Sequence, residues 1–459
     1  MRAHLYRDLI HGQIRFPRVE QGPTPQDSSN AIGYLVPGLR STPAFQRLRS
    51  IRQNGLTNFV FATMEHSRFV HSMGTYWMCN RMYDAIVRNS GLKVDERDRT
   101  LVAIAGLLHD IGHGPFSHSF EKSVEGFDHE AMSIRLLREY EPIASLLNEV
   151  DDEFLEDMIP YIDKSARTVD KWSYRIVSSQ LDADRLDYML RDSRLAGLDG
   201  HGFDLERLLD MLTIENGRIA IDDRATPTIE AYLVMRLHLH EMVYFHKGVR
   251  ASQSLLVSIL KRCFDLIRSG SLQHLDSLPC VASHVFQRVA RAEEVPIDAY
   301  VRFGEHHCWV AFDIWATEAQ DSILQDLAQR IVSRRPFKAI TLLPMASEES
   351  ERQQMNKAVS RVAKELNRTE DEVRRYYCSI DEPQTLAYKT FDPDGKKPEE
   401  EIWFRGRDTT IKRLSEYKDN SIFEATKIPR ISQFFIFPEE GRSIAQDTFS
   451  YKEYAGQSH

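Results

Sequence analysis

The chain has 459 residues, 42% of them hydrophobic and 28% charged, and a formal charge of −9 from 59 basic and 68 acidic side chains. That length and balance describe an ordinary globular protein with room for a large core and more than one lobe. The acidic excess argues against binding nucleic acid through the overall field, so any polyanion site must be a local basic pocket.

The opening MRAHLYRDLIHGQIRF lacks the apolar core of a signal peptide. Residues 17–30 (PRVEQGPTPQDSSN) carry the Pro, Gly, Ser and Asp of a loop. Helical periodicity dominates from about 43 to 270, and Thr42–Pro43 suits a helix start. Asp95 and Asp98 offer carboxylates to the free N–H groups of the next helix. That helix runs through LVAIAGLLHD, apolar nearly all round and therefore expected to be buried, with glycines 112 and 114 ending it. Its apolar run, Leu101–Leu108, is far shorter than the roughly 20 residues that cross a bilayer.

Asp128 is placed to cap HEAMSIRLLREY, with His129 in the first turn. IENGRIAI (214–221) predicts a hairpin with a type I′ turn at Asn216–Gly217, and residues 229–248 predict one long helix. Beyond about 275, strands are expected over 308–315, 337–344 and 431–437, a helix over 320–334 and a charged turn over 391–401. The expected fold is mainly α. An N-terminal segment (1–37) precedes a helical core (38–274) and a smaller mixed α/β C-terminal region (275–459). Cysteines 79, 263, 280, 308 and 378 are widely spaced without a CxxC pair, which argues against a disulfide framework and fits a cytoplasmic protein.

Chemistry concentrates in AGLLHDIGHGPFSH (105–118). Six of the 17 histidines (66, 71, 109, 113, 118 and 129) fall between positions 66 and 129. Adjacent imidazole and carboxylate at His109–Asp110 suit a divalent metal of intermediate hardness. Alone, such a pair at a helix end is more often structural. Two further segments add to it. HSRFVHSMG (66–74) supplies His71 beside Arg68, and QLDADRLDYMLRDS (180–193) places Asp184, Tyr188 and Asp192 at i, i+4 and i+8 on one helical face. Read as structure alone, the second is a solvated acidic face paired with Arg185, Arg191 and Arg194. Arg236, His240 and Tyr244 form another such stripe, which would ordinarily be a packing face.

Taken in order, HSRFVHSMG, HDIGHGPFSH and LDADRLDYMLRDS resemble the HD-domain deoxynucleoside triphosphate triphosphohydrolases over about residues 38–345. The resemblance implies an HD-domain helical core over 38–274 and no room for an N-terminal helical module. It implies a divalent metal (Fe, Mn or Mg) held by His71, His109, Asp110 and Asp184. Such a site supports water attack at the α-phosphorus, releasing nucleoside and triphosphate. His118 then corresponds to a general acid at the leaving 5′ oxygen, with His113, His129 and Arg68 at the phosphates. Gln53, Tyr188 and Asp192 correspond to sugar contacts, Arg236 to a γ-phosphate contact, and Tyr244, beyond His240 in the stripe, to a ring packed under C2′. His66 matches no assigned position, and Lys247 reads as a solvated lysine.

There are departures from the family pattern. Ser41 stands where an aspartate reads guanine at an activator site, although Gln46 and Arg49 remain; Arg185 replaces lysine and Asn54 an apolar residue. A dNTP substrate, a possible nucleotide effector and a homo-oligomer (dimer, tetramer or hexamer) are implied, with nucleic acid not favoured and no membrane. The alternatives are an HD phosphohydrolase acting on another nucleotide or on single-stranded nucleic acid, and a nucleotide-sensing protein with a vestigial site.

Overall fold

The computed structural model describes residues 4–16, 31–198, 200, 202–272, 278, 280–344, 347–385, 387–388 and 401–452. The loop expected over 17–30, and all but the last residue of the turn expected over 391–401, lie outside them. At the N-terminus, β1 (His4–Asp8) and β2 (Gly12–Phe16) pair antiparallel. Ile14 and Phe16 alternate inward and are buried while Arg15 between them is exposed.

Helices α1 (Ala31–Ser41) and α2 (Pro43–Arg47) follow, and Thr42 Oγ1 accepts from Phe45 N at 3.3 Å to start the second. The centre of the fold is the pair α3 (Arg68–Ser90) and α4 (Glu96–Leu108). Asp95 caps α4 by accepting from Asp98 N at 3.0 Å, and every residue from Thr100 to Leu108 is buried, as its all-round apolarity demands. Around this pair stand α5 (His118–Ser123), α6 (His129–Glu139), α7 (Glu141–Asn148), α8 (Phe154–Ile162), α9 (Tyr174–Val177) and α10 (Ala183–Leu195). Asp128 caps α6 as expected, accepting from Ala131 N at 2.7 Å. Gly112 lets α6 approach the turn after α4, because a Cβ there would overlap His129 O and Ser133 N. Next, α11 (Leu205–Met211) leads to the expected hairpin, β3 (Leu212–Glu215) with β4 (Arg218–Asp222). Asn216 and Gly217 take φ of 50° and 74°, as a type I′ turn requires.

Two expectations are corrected. Residues 229–248 form not one helix but α12 (Thr226–Leu239), a π turn over His240–Tyr244, and a break at His246, after which α13 (Lys247–Arg268) begins. The widened turn is closed by Phe245 N donating to His240 O at 2.8 Å. CWVAFDIW is not a strand. After α14 (Cys280–Ala290) and α15 (Ile297–Arg302), it lies inside α16 (Glu305–Glu318). Cys308, Ala311, Phe312 and Trp315 are buried at i, i+3, i+4 and i+7 while Val310 is exposed, a helical period that aromatic and β-branched content concealed.

The other C-terminal expectations hold. Helix α17 (Ser322–Val332) lies within 320–334, and β5 (Lys338–Thr341) lies within 337–344. Helices α18 (Glu348–Leu366) and α19 (Glu370–Tyr376) precede β6 (Ser379–Asp381) and β7 (Gln384–Thr385). Strands β8 (Trp403–Arg405) and β9 (Ile411–Arg413), α20 (Ser421–Thr426), β10 (Arg430–Ile431), β11 (Phe434–Phe437) and α21 (Arg442–Thr448) complete the described chain. Strand β11, inside the stretch expected over 431–437, is the middle of the antiparallel sheet β5-β11-β6. The sheet β3-β4-β8-β9 joins β8 in parallel to β4, so C-terminal strands extend a hairpin of the helical core. The fold is mainly α with a smaller mixed C-terminal part, over one continuous hydrophobic core. No described helix is long and apolar enough to cross a membrane.

Candidate active site

His71 points from the first turns of α3, His109 closes α4, Asp110 follows it, and Asp184 opens α10. These three places meet because α3 packs against both α4 and α10. His71 Nε2 lies 3.0 Å from Asp184 Oδ1 and 3.7 Å from Asp110 Oδ2, and His109 Nε2 lies 3.3 Å from Asp110 Oδ1 and 3.8 Å from Asp184 Oδ1. One ligand atom from each of His71, His109 and Asp184 lies within 4.8 Å of the others, and Asp110 is within ion-pair reach of both histidines.

The residues fit a divalent ion on structural grounds. His109 Nδ1 donates to Gly106 O at 2.9 Å, which leaves Nε2 buried without a hydrogen-bond partner and facing the carboxylates. The group can hold a metal, and mixed N and O ligands do not choose among Fe, Mn and Mg. Burial alone would lower the His71 pKa, but hydrogen bonds to Asp184 and Asp187 outweigh it and raise it to about 10. Asp110 is buried too. Its charge is nevertheless kept, well below the usual carboxylate range, by the Arg68 guanidinium and neighbouring imidazoles.

Above this cluster lies a cavity of about 740 Å³, within the range of small-ligand sites. Gln53, Arg68, Asp110, His113, His118, His129, Asp184, Tyr188, Asp192, His240 and Tyr244 all reach its wall, whereas His71 and His109 do not line it. Arg68 pairs with Asp110 and donates Nε to Ser117 Oγ at 2.8 Å. Phe116 and Ser117, at φ of 58° and 54°, strain the backbone between His113 and His118 to bring that hydroxyl round. His113 stacks on His129 with ring centroids 3.8 Å apart, and burial together with Arg68 holds His113 well below the usual histidine range.

His118 Nδ1 and His129 Nδ1 meet the two oxygens of Glu121 at 3.0 and 2.9 Å. Sequence reasoning missed Glu121; the i, i+3 spacing of His118 and Glu121 on α5 was its one signal. At the far end, Tyr244 Oη donates to Asp192 Oδ2 at 2.6 Å, and His66 Nε2 lies 3.0 Å from Asp192 Oδ1. His66, unassigned by resemblance, therefore braces a pocket residue. His240 donates Nδ1 to Arg236 O at 2.8 Å, and burial lowers its pKa to about 4. Gln53 Oε1 and Asn54 Nδ2 are buried on the wall without hydrogen-bond partners among the described residues.

Some expected residues are turned elsewhere. Arg236, near the end of α12, is buried outside the wall and donates to Ala387 O of the C-terminal region at 3.1 Å. Arg185 is tied to Asp182 and Ser179 O. Gln46 and Arg49 bond each other at 2.8 Å, and Ser41 Oγ satisfies Pro37 O.

The largest omission from sequence reasoning lies under His71. Its Nδ1 donates to Asp187 Oδ2 at 2.8 Å, and Asp187 Oδ1 meets His11 Nε2 of the N-terminal hairpin at 2.7 Å. Arg191 clasps the same carboxylate at 2.8 and 3.0 Å and reaches Asp8 at 2.8 Å. Burial raises the Asp187 pKa, but Arg191 and the two histidines more than reverse this and keep it ionised. Asp187 thereby orients a candidate metal-ligand histidine through its other ring nitrogen. Gly74 makes the room: a Cβ there would overlap Asp187 Oδ1.

Two family models match the chain, the HD domain over residues 68–189 and the HD-associated region over 203–293. Protein YwfO of Bacillus subtilis is 31% identical over 381 residues, spanning 83% of each chain. The chain belongs to the HD-domain phosphohydrolase family. HD domains are metal-dependent, in keeping with the His71–His109–Asp184 group. Among its relatives is the deoxynucleoside triphosphate triphosphohydrolase SAMHD1 of Gallus gallus, 31% identical over 60% of this chain and 48% of that protein. A Dictyostelium discoideum homologue is 28% identical over 64% of this chain and 56% of that one. A crystal structure of a phosphohydrolase from Bacteroides thetaiotaomicron shares the fold, with a TM-score of 0.78 and 24% identity, over 95% of this chain and all of that one.

Proposed function

We propose that this HD phosphohydrolase cleaves 2′-deoxynucleoside triphosphates to the nucleoside and inorganic triphosphate by water attack at the α-phosphorus. The observation that carries the reading is one cavity with two unlike ends. A His/Asp metal group underlies one end, and the Tyr244–Asp192 pair with the unpartnered Gln53 and Asn54 amide atoms lines the other. A bound divalent ion, held by His71, His109, Asp110 and Asp184, supplies Lewis-acid polarisation of a phosphoryl oxygen and lowers the pKa of water.

The chain supplies the rest. Arg68, His113 and His129 bind the phosphate oxygens. Glu121 accepts from His118 Nδ1, so His118 Nε2 can deliver a proton to the departing O5′. Gln53, Asp192 and Tyr188 take the sugar hydroxyl, and the Tyr244 ring, tethered through Asp192, leaves no room for a ribose 2′-hydroxyl. His240 supports Tyr244 across an edge-to-face contact with centroids 5.2 Å apart. Arg236 remains in the proposal as a phosphate contact only if it leaves Ala387. The names of the SAMHD1 relatives support the same substrate class. An effector near Gln46 and Arg49, a homo-oligomer of two, four or six copies and a cytoplasmic location complete the proposal; they rest on the family resemblance and composition.

The test is incubation with single dNTPs, dNTP mixtures and NTPs, with Mn²⁺ or Mg²⁺, followed by separation of the phosphate products. Triphosphate as the first product is expected; pyrophosphate or orthophosphate in its place overturns the proposal. Activity on mixtures alone would reveal an effector. His118→Ala is expected to slow turnover by about 10²–10⁴-fold, the range of general acid catalysis, with metal content unchanged. Tyr244→Ala is expected to reduce the preference for dNTPs over NTPs by about tenfold or more, read as the ratio of kcat/KM values.

A further inference from the structure

Beside the catalytic cavity lies a second one, of about 300 Å³, which shares Ser119, Lys122, Arg250 and Gln253 with it. Five cations line it: Lys122 of α5, Arg250 and Lys261 of α13, and Arg374 and Arg375 of α19. Two of these are already neutralised. Arg250 grips Asp381 through two hydrogen bonds at 2.5 and 2.6 Å, and Arg375 meets Asp265 at 2.8 Å. The other three, Lys122, Lys261 and Arg374, have no carboxylate within ion-pair distance among the described residues. Among the described residues Arg374 donates only to the neutral Asn356 Oδ1, at 2.8 Å.

This excess of positive charge belongs to a chain whose net charge is −9, so it is a local feature and not a reflection of composition. Partial burial and the nearby Arg250 guanidinium hold the Lys122 amine below the usual lysine range. Like charges gathered in this way repel unless a counter-charge arrives. The wall is elongated. Arg250 and Lys261 stand on one face of α13, about three helical turns and roughly 16 Å apart along its axis. Gln253, Ser254 and Ser258 lie between them on that face and add hydrogen-bonding groups. A single phosphate would engage one end of such a row; a chain of phosphates could follow it. The shared wall opens beside His118, the side of the catalytic cavity where the phosphates are handled.

We propose that this second cavity binds a linear phosphate chain, either the inorganic triphosphate as it departs or the tail of a second nucleotide. Only the first of these sources rests on the proposed dNTP reaction. Binding the departing chain would give it a path out past Lys122, and a second nucleotide held there would couple occupancy to the catalytic wall through α5.

Calorimetric titration of the full chain with inorganic tripolyphosphate, in excess Mg²⁺, tests the site without turnover. Two binding events are expected, one in each cavity. The double variant Lys261→Glu, Arg374→Glu alters no residue of the catalytic wall. It should weaken the second event by about tenfold or more, the scale of lost charge-assisted contacts, and leave the first unchanged. The neutral pair Lys261→Gln, Arg374→Gln should give a smaller loss in the same direction, and it guards against misfolding by charge reversal. Wild-type affinity and stoichiometry in both variants overturns the proposal, as does equally tight binding of orthophosphate. A parallel titration with a non-hydrolysable dNTP identifies the source. A second event with nucleotide alone assigns the tail, and one with free triphosphate alone assigns the product. Failure of the product assay would remove the dNTP reading and leave these titrations intact.

Discussion

Substitution of His109 by alanine is expected to lower phosphoester hydrolysis by about 10³-fold or more, because several kilocalories of charge stabilisation by the metal are lost. The expectation rests on how the two ring nitrogens are placed. His109 Nδ1 is committed to Gly106 O, so Nε2 holds the lone pair left for a metal, and it is buried beside Asp110 and Asp184 with no hydrogen-bond partner among the described residues. Within the fold the side chain closes α4, bonds Gly106 O and meets the His71 ring edge-on at a centroid distance of 5.3 Å, and it is not one of the buried residues of that helix. Stability should therefore change little while metal content falls. Elemental analysis of the purified variant, alongside hydrolysis and a melting curve, separates these effects. Retention of both metal and activity would remove His109 from the ligand set.

Asp187→Ala is expected to be the most damaging change to stability around the site. It removes a carboxylate that meets His71, His11 and Arg191 in a region closed to solvent. Breaking a buried ion pair from one side costs about 3–5 kcal/mol, since the remaining charge stays desolvated. Here Arg191 keeps Asp8, which limits the loss, but His11 and His71 both lose their acceptor. Metal affinity should fall as well, by about 10–100-fold, because His71 is no longer held by its Nδ1. Urea unfolding measures the first effect and titration of the metal-free protein with Mn²⁺ the second. Asp187→Asn, which keeps the shape and one acceptor, should lie between the variant and the wild type in both. If Asp187→Ala matched the wild type in metal affinity, Asp187 would be a structural ion-pair residue with no influence on the ligand.

How much of this was readable without coordinates depends on the range of the interaction concerned. The helix start at Thr42–Pro43, the caps at Asp95 and Asp128 and the Asn216–Gly217 turn involve groups three residues apart or fewer, and each formed as expected. The four proposed metal ligands come from three segments distant in sequence, but their motifs identified them through the family resemblance, and packing of α3 on α4 and α10 brings them together. CWVAFDIW misled because aromatic and β-branched content suits a strand, while burial at 308, 311, 312 and 315 follows a helical period. The π turn over His240–Tyr244 and the break at His246 had no glycine or proline between 229 and 247 to announce them.

The sequence by itself determined the local elements, the donor types and the family to which they belong. Those properties follow from backbone caps, hydrophobic period and motif spacing, all of which act over a few residues. Only the tertiary structure decided which charged groups become partners. Asp187 looked like one more acid on a helical face until His11, 176 residues away in sequence, closed on it and Gly74 made space. Arg236, which the resemblance places at the γ-phosphate, donates a hydrogen bond to Ala387 O from a segment 151 residues further along the chain. A charged side chain settles where burial and a counter-charge coincide, and both are supplied by elements that the chain brings together only on folding.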